Sequence, residues 1–457
     1  MTETRPSAQI ADADELADLP SASRAPRLAR PSVFLHAGWR TAGTFLWSRF
    51  RAFGDVAGYY EPLHESLATL TPATLAASGP DVWASGHPRL GRPYFDEFAP
   101  FLHDARPGVR GYSAVFATDG FFAGPNAKLP ALEAYLRRLI EAAHERGEQP
   151  VLKFCRSLGR ASWMAETFPD SVHIAVVRNP VSQFISAKHQ FAAHENPYFL
   201  LMPLRVLARN ADQDVVAAAL HHFAVPLPDA AADEDQARAK AVLLAHLRRT
   251  GAEEWYRGFL AFWLLCMLGI PETIDAVIDA DLLSVSAVYQ TECAADLAVL
   301  SGIAVDLATA GRPLCCSARV ADRLGFDRAD LWRYHALAAT FLETKGGQGA
   351  MERGPLPNIV ALLNYATLLG LGRGRLLQVG ERGRTAEWDR LTEYAARAGA
   401  DARHARRRAE RAERELAAVY QSRSWKVTAP LRRLGGLWRL RTGRATAPDE
   451  PARDDRA

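Results

Sequence analysis

The chain has 457 residues, 48% of them hydrophobic and 23% charged, the balance of a soluble globular protein long enough for one large domain with additions or for two. Its net charge of +3 is too small to suggest nucleic-acid binding by the whole molecule. Five cysteines without a CxxC spacing argue against a metal site or a disulfide framework, so a reducing cytoplasm is the expected compartment.

The polar, acidic N-terminus has no apolar h-region, so no secretory signal is expected, and residues 1–30 read as disordered. From residue 31 short apolar runs alternate with helical patterns. "SVFLHA" (32–37) and "VHIAVV" (172–177) read as buried strands, with "PVLKFC" (150–155) and "DAVIDADLL" (275–283) as weaker candidates. Helical patterns fill 129–147 and 205–270, and 66–128 is loop-rich. Within the second helical region "FLAFWLLCMLGI" (259–270) is too short to span a bilayer and reads as a buried helix. The alternation predicts an α/β domain over 31–345, its mostly parallel, P-loop-like sheet flanked by helices.

After a connector with a helix (346–385), a seam runs through Leu391, Ala395, Ala398, Ala402, Ala405, Ala409, Ala412, Leu416 and Val419. These steps of four and three predict a thin coiled-coil-like helix over 386–420, able to pair two copies or to meet an assembly partner. A basic, aromatic segment (421–441) and a disordered tail (442–457) complete the chain. The basic segment suits either an interfacial helix at a membrane or an oligomerisation tail.

Two stretches carry the chemistry. In "VFLHAGWRTAGTFLWSRF" (33–50) an apolar run enters a loop holding Gly38, Arg40, Thr41, Ala42, Gly43 and Thr44, and a helix follows from about Phe45. Such a junction is a ready anion site, because unpaired amides and the helix dipole both point at the loop. The alternative is an ordinary strand-to-helix turn. In "VHIAVVRNPVSQFISAKHQF" (172–191) Arg178 closes a strand, Asn179 can cap, Pro180 suits a first helical turn, and Ser186 lies about two turns further on. A guanidinium and a hydroxyl so placed can converge on one phosphate.

Arg-Asn-Pro followed by serine at this spacing, downstream of the small-residue loop, resembles the PAPS-dependent sulfotransferases, with the likeness extending over about 31–345. The resemblance implies that Arg40, Thr41, Ala42, Gly43, Thr44 and Phe45 cradle the 5′-phosphosulfate of the donor PAPS, and that Arg178 and Ser186 hold its 3′-phosphate. The first motif departs from the family pattern of a basic residue, a hydroxyl residue, Gly, Ser/Thr and Thr. Aligned on Arg40, Ala42 stands for the glycine and Gly43 for a hydroxyl residue; shifted by one, Thr41 stands where a lysine is usual. "GYYEPLHE" (58–65) resembles the segment that carries the catalytic base in bacterial and carbohydrate members, which points to Glu61 first and His64 second. The bland alternative is a solvated loop with a capping glutamate.

Lys153, Arg156 and Arg160 follow a candidate strand and either line the site, neutralising an anionic acceptor or the donor, or are surface charges around Trp163. His87, the His221–His222 pair and Cys315–Cys316 read as structural, and "KGGQG" (345–349) as a connector. "YQSRSWKVTAPLRRL" (420–434) resembles a segment found at the end of many bacterial polysaccharide glycosyltransferases, which turns the acceptor toward a glycan: a surface polysaccharide or a lipid-linked precursor. The expected activity is sulfuryl transfer from PAPS to a saccharide hydroxyl, without a metal, in the cytoplasm or at the inner face of the membrane. A degenerate scaffold of the same fold is the alternative. A P-loop kinase or hydrolase is weaker, because the loop lacks Gly-Lys-Ser/Thr.

Overall fold

Strands form where the chain is apolar on both sides of the backbone, and every residue of β1 (Val33–Ala37), β2 (Val56–Tyr60), β3 (Gln149–Phe154) and β4 (Val172–Val177) is buried. With β5 (Ala276–Asp279) they make a five-stranded parallel sheet in the order β2-β3-β1-β4-β5. The computed structural model describes residues 30–78, 90–271, 273–308 and 324–345. The expectations for the N-terminal segment, His87, Cys315, Cys316, 346–349, the heptad seam and the basic aromatic segment lie outside these residues.

Helices cover the sheet. They are α1 (Gly43–Arg51), α2 (Pro72–Ala76), α3 (Pro130–Glu145), α4 (Ala161–Thr167), α5 (Pro180–His194), α6 (Tyr198–Arg209), α7 (Asp214–His222), α8 (Gln236–Arg249), α9 (Ala252–Leu268), α10 (Ala280–Val285), α11 (Ala287–Ser301) and α12 (Arg328–Lys345). Two hydrophobic clusters result. Val172, Ile174 and Val176 of β4 join the one containing α1 and α3, while Ala175 and Val177 join the other, with α5, α6 and α9. That division is the period-2 alternation of a strand buried on both faces.

Three expectations need correction. The helical region 205–270 is not continuous: it comprises the end of α6 and then α7, α8 and α9. Pro226 and Pro228 withhold amide donors between α7 and α8, and the Asp235 side chain starts α8 by accepting from the amides of Ala237 and Arg238. The strand expected over 275–283 stops at Asp279, whose carboxylate accepts from the amides of Asp281 and Leu282 and caps α10. Finally, β2 is not among the expected strands; "VAGYY" reads as one only once β3 lies beside it. The apolar stretch ending near 270 is α9, buried from Phe259 to Met267, and among the described residues no helix is long and apolar enough to cross a membrane.

The chain leaves β1 for β2 on one side, then crosses from β3 over β1 to β4 on the other. Ligands of such sheets sit outside the carboxyl ends of the strands where the order reverses, which here is the edge around β1.

Candidate anion-binding and catalytic site

The loop between β1 and α1 is closed by its own side chain. Thr41 is buried; its hydroxyl donates to the Gly38 carbonyl at 2.8 Å and accepts from the Gly38 amide at 3.1 Å. It therefore shapes the loop and has no donor left for a ligand. Arg40 and Ala42 both adopt left-handed backbone angles (φ 68° and 64°). Glycine would take the Ala42 conformation without strain, so the position where the family pattern has its glycine keeps the glycine-like turn. Gly43 is required for space: a Cβ there would lie 2.5 Å from Ala37 Cβ and 3.2 Å from Lys153 Cε. The amides of Phe45 and Leu46 are bonded to the Ala42 carbonyl, which leaves the α1 N-terminus pointing at the loop. The Phe45 ring lies under the Arg49 guanidinium, 4.6 Å away.

The second motif meets the first. Asn179 caps α5 by accepting from the Ser182 amide, and Pro180 occupies the first turn. Arg178 Nη1 donates to the Arg40 carbonyl at 2.9 Å, Arg40 Nε donates to Ser186 Oγ at 2.9 Å, and Gln183 Nε2 donates to the Trp39 carbonyl at 2.7 Å. Arg178 is 1% exposed and its Nε donates to Asp281 Oδ1 at 3.1 Å, while the backbone and side chain of Asn179 both donate to Asp281 Oδ2. Burial and the neighbouring Asp281 carboxylate raise the pKa of Asp279 to about 7.

Glu61 follows β2 in a left-handed turn (φ 48°) and is buried. Lys153 Nζ donates to its Oε1; Cys155 N (2.9 Å) and Arg156 Nη1 (3.1 Å) donate to its Oε2. Burial favours the neutral acid, but Lys153 and Arg156 outweigh it and hold the pKa at about 2. The carboxylate is ionised and three of its roughly four lone-pair sites are engaged. His64 accepts the Ser66 amide at Nδ1 (3.1 Å), and burial keeps its pKa below the usual value. Its proton then resides on Nε2, which leaves the ring a donor and no acceptor. Of the two candidate bases, Glu61 alone retains a lone pair.

Arg156 extends this network: Nη2 donates to Glu65 Oε2 at 2.5 Å and to the Tyr198 hydroxyl, which itself donates to Glu65 Oε1 at 2.9 Å. The surface-charge alternative for Lys153, Arg156 and Arg160 is overturned, because all three are at most 1% exposed. Arg156 lies in the loop after β3 and Arg160 ends a short 3-10 turn (Leu158–Arg160). His222 contacts the Leu337 carbonyl from its Nε2, a packing role, and Cys266 and Cys293 are buried free thiols. Among the described residues no group of three or more His, Cys, Asp or Glu is placed to hold a metal ion.

Asp281, Tyr198, Arg205 and Asp119 are members of this edge that sequence reasoning missed. Asp281 alone left a trace, in the "DAD" (279–281) that leads from β5 into α10. Comparison of the chain with protein families, with curated proteins and with solved structures finds no match. Fold and site together define an α/β protein with a parallel sheet, whose carboxyl edge gathers a helix N-terminus, arginines 40, 156 and 178, and a lysine-paired glutamate.

Proposed function

We propose that the chain is a PAPS-dependent sulfotransferase acting on a hydroxyl of a saccharide. The observation that carries this reading is the junction of Arg40 with Ser186 and of Arg178 with the Arg40 carbonyl. The resemblance assigns these two motifs to the two phosphate ends of one donor, and the fold gathers them at one edge.

The residues present suit such a donor. The α1 N-terminus and Arg40 offer donors for one anionic end, and Arg178 and Ser186 for the other. When bound, PAPS supplies a sulfuryl group activated by a phosphate leaving group. Lys153, from β3, brings its Cε to 3.2 Å from the position a Gly43 Cβ would take, and so stands in for the lysine that the loop lacks. Attack by the acceptor oxygen on sulfur forms one S–O bond as the bond from sulfur to the phosphate oxygen breaks. Glu61 receives the hydroxyl proton. A carboxylate at a pKa of about 2 is a weak acceptor, and its basicity rises as Lys153 turns from Glu61 toward the leaving phosphate. Arg178 and Ser186 confine binding to nucleotides with a 3′-phosphate, which separates the donor from ATP.

Thermal stability with 3′,5′-ADP tests this. A ligand at a hundredfold excess over its Kd adds about 2.7 kcal/mol, a rise in Tm of several degrees. The rise should disappear in Ser186→Ala and Arg178→Ala. A well-folded parent stabilised by ATP with magnesium instead, or by neither nucleotide, would overturn the proposal in favour of a kinase or a scaffold respectively.

A further inference from the structure

We infer that Arg160 and Arg205 bind an oxyanion carried by the acceptor, so that the substrate is an acidic saccharide. The assignment to the acceptor rests on the sulfotransferase reading; the anion site itself rests on the partnerless guanidinium nitrogens of the two arginines and on their shared neighbour Asp119.

Four guanidinium nitrogens after β3 and on α6 are buried without a hydrogen-bond partner: Arg156 Nε, Arg160 Nε, Arg160 Nη1 and Arg205 Nη1. Arg160 is 0% exposed and makes a single hydrogen bond, from Nη2 to the Phe116 carbonyl at 3.0 Å. Arg205 is 6% exposed. Among the described residues neither arginine has an ion pair, because the nearby carboxylates are taken. Glu65 is held by Arg156 and Tyr198, and Asp119 by Arg209 through Nε (2.9 Å) and Nη2 (2.5 Å). Arg160 and Arg205 both feel the field of Asp119, and burial lowers the pKa of each, Arg160 to about 9.

Two buried cations without an ion pair are a costly arrangement, eased here only by the field of Asp119 and, for Arg160, by the Phe121 ring 5.3 Å from its guanidinium. An anion that enters with the substrate removes that cost, and the guanidinium fork matches the oxygens of a carboxylate or a phosphate ester. Position assigns it to the acceptor. The donor motifs lie on the β1–β4 side of the edge, whereas Arg160 follows β3, one short turn beyond the Arg156 that touches Glu61. The network reaches solvent at Glu65 and at the Arg209–Asp119 pair, with side chains 17%, 17% and 36% exposed, which gives a charged substituent a way in.

The test uses the full chain and three probes at matched ionic strength: sodium glucuronate, glucose 6-phosphate and glucose. Glucuronate or glucose 6-phosphate should raise Tm and glucose should not; the responding probe tells a carboxylate from a phosphate ester. Arg205→Gln, on α6 and away from the sheet, should weaken the apparent affinity about tenfold, and Arg160→Gln should do the same if it folds. Equal responses in parent and Arg205→Gln, or no response to either acid, would overturn the inference. Reading 3′,5′-ADP in the same samples separates the two proposals. A nucleotide response without an acid-sugar response sinks the anion site alone. The reverse leaves the anion site standing and sinks the sulfotransferase reading.

Discussion

Arg40 Nε donates to Ser186 Oγ at 2.9 Å across 146 residues of chain. One of these side chains leaves the carboxyl end of β1 and the other stands on α5, so the bond ties the β1–α1 loop to the helix after β4. A hydrogen bond to a charged donor contributes about 1.5–3 kcal/mol. A double-mutant cycle with Arg40→Lys and Ser186→Ala, followed by urea unfolding, should give a coupling energy of at least about 0.5 kcal/mol. Additive losses would mean that the contact carries no energy.

Gly43→Ala should destabilise the chain by about 1–3 kcal/mol, the usual cost of forcing a methyl group into a filled space. The added Cβ would sit 2.5 Å from Ala37 Cβ, which is fixed in β1, and 3.2 Å from Lys153 Cε. The measurement is the urea midpoint. Because the displaced lysine holds Glu61, the response to 3′,5′-ADP should fall as well.

Glu61→Gln leaves Lys153 and Arg156 buried beside a neutral amide, and breaking such a cluster costs about 3–5 kcal/mol. The same cluster dictates an acid limit. The Glu61 and Glu65 pKa values are both held near 2, below their ordinary 4.5, by Lys153 and Arg156 for the first and chiefly by Arg156 for the second, against burial. Their contribution is complete above pH 4.5 and is lost as pH falls from there toward 2. Tm against pH should drop through that window, and the drop should be smaller in Glu61→Gln.

A second pH step arises from a chain of imidazoles. His173 Nε2 lies 3.0 Å from the Phe168 carbonyl, which can only accept, so His173 Nδ1 accepts from His36 Nε2 (3.0 Å) and His36 Nδ1 accepts from Ser157 Oγ (2.9 Å). Both rings are neutral in this arrangement, and burial holds both pKa values below 6.5. Unfolding frees them to take protons, so their contribution is present above pH 6.5 and is lost as pH falls below it. His173→Asn should flatten this step and leave the acidic one unchanged. An unaltered profile would show that the imidazole chain does not govern it.

What could be read from the residues depended on whether the signal was local. Asn179 and Pro180 announce the start of α5 because capping and a fixed φ act within one turn, and the buried strands β1, β3 and β4 are visible as short apolar runs. β2 was not, since Tyr59 and Tyr60 become core only when β3 and Tyr94 pack against them. Glu61 and Arg156 were both visible as candidates, yet nothing within seven residues of Glu61 foretells its ion pairs, which come from β3 and the loop after it. Tyr198 and Arg205 come from α6, Asp281 from α10 and Asp119 from the connection before α3, and apart from the trace at Asp281 none of them sits in a readable pattern.

The sequence by itself determined the α/β alternation, the strand–loop–helix junction at 38–45 and the Arg178–Ser186 spacing, because periodicity, capping and turn chemistry are settled between near neighbours. Tertiary structure alone decided which cations meet which carboxylates. Lys153 and Arg156 are neutralised by Glu61 and Glu65, Arg178 by Asp281 and Arg209 by Asp119, while Arg160 and Arg205 are left over. Charge pairing in a buried edge depends on distances of a few ångströms between residues far apart in the chain, and those distances are set only when the sheet closes.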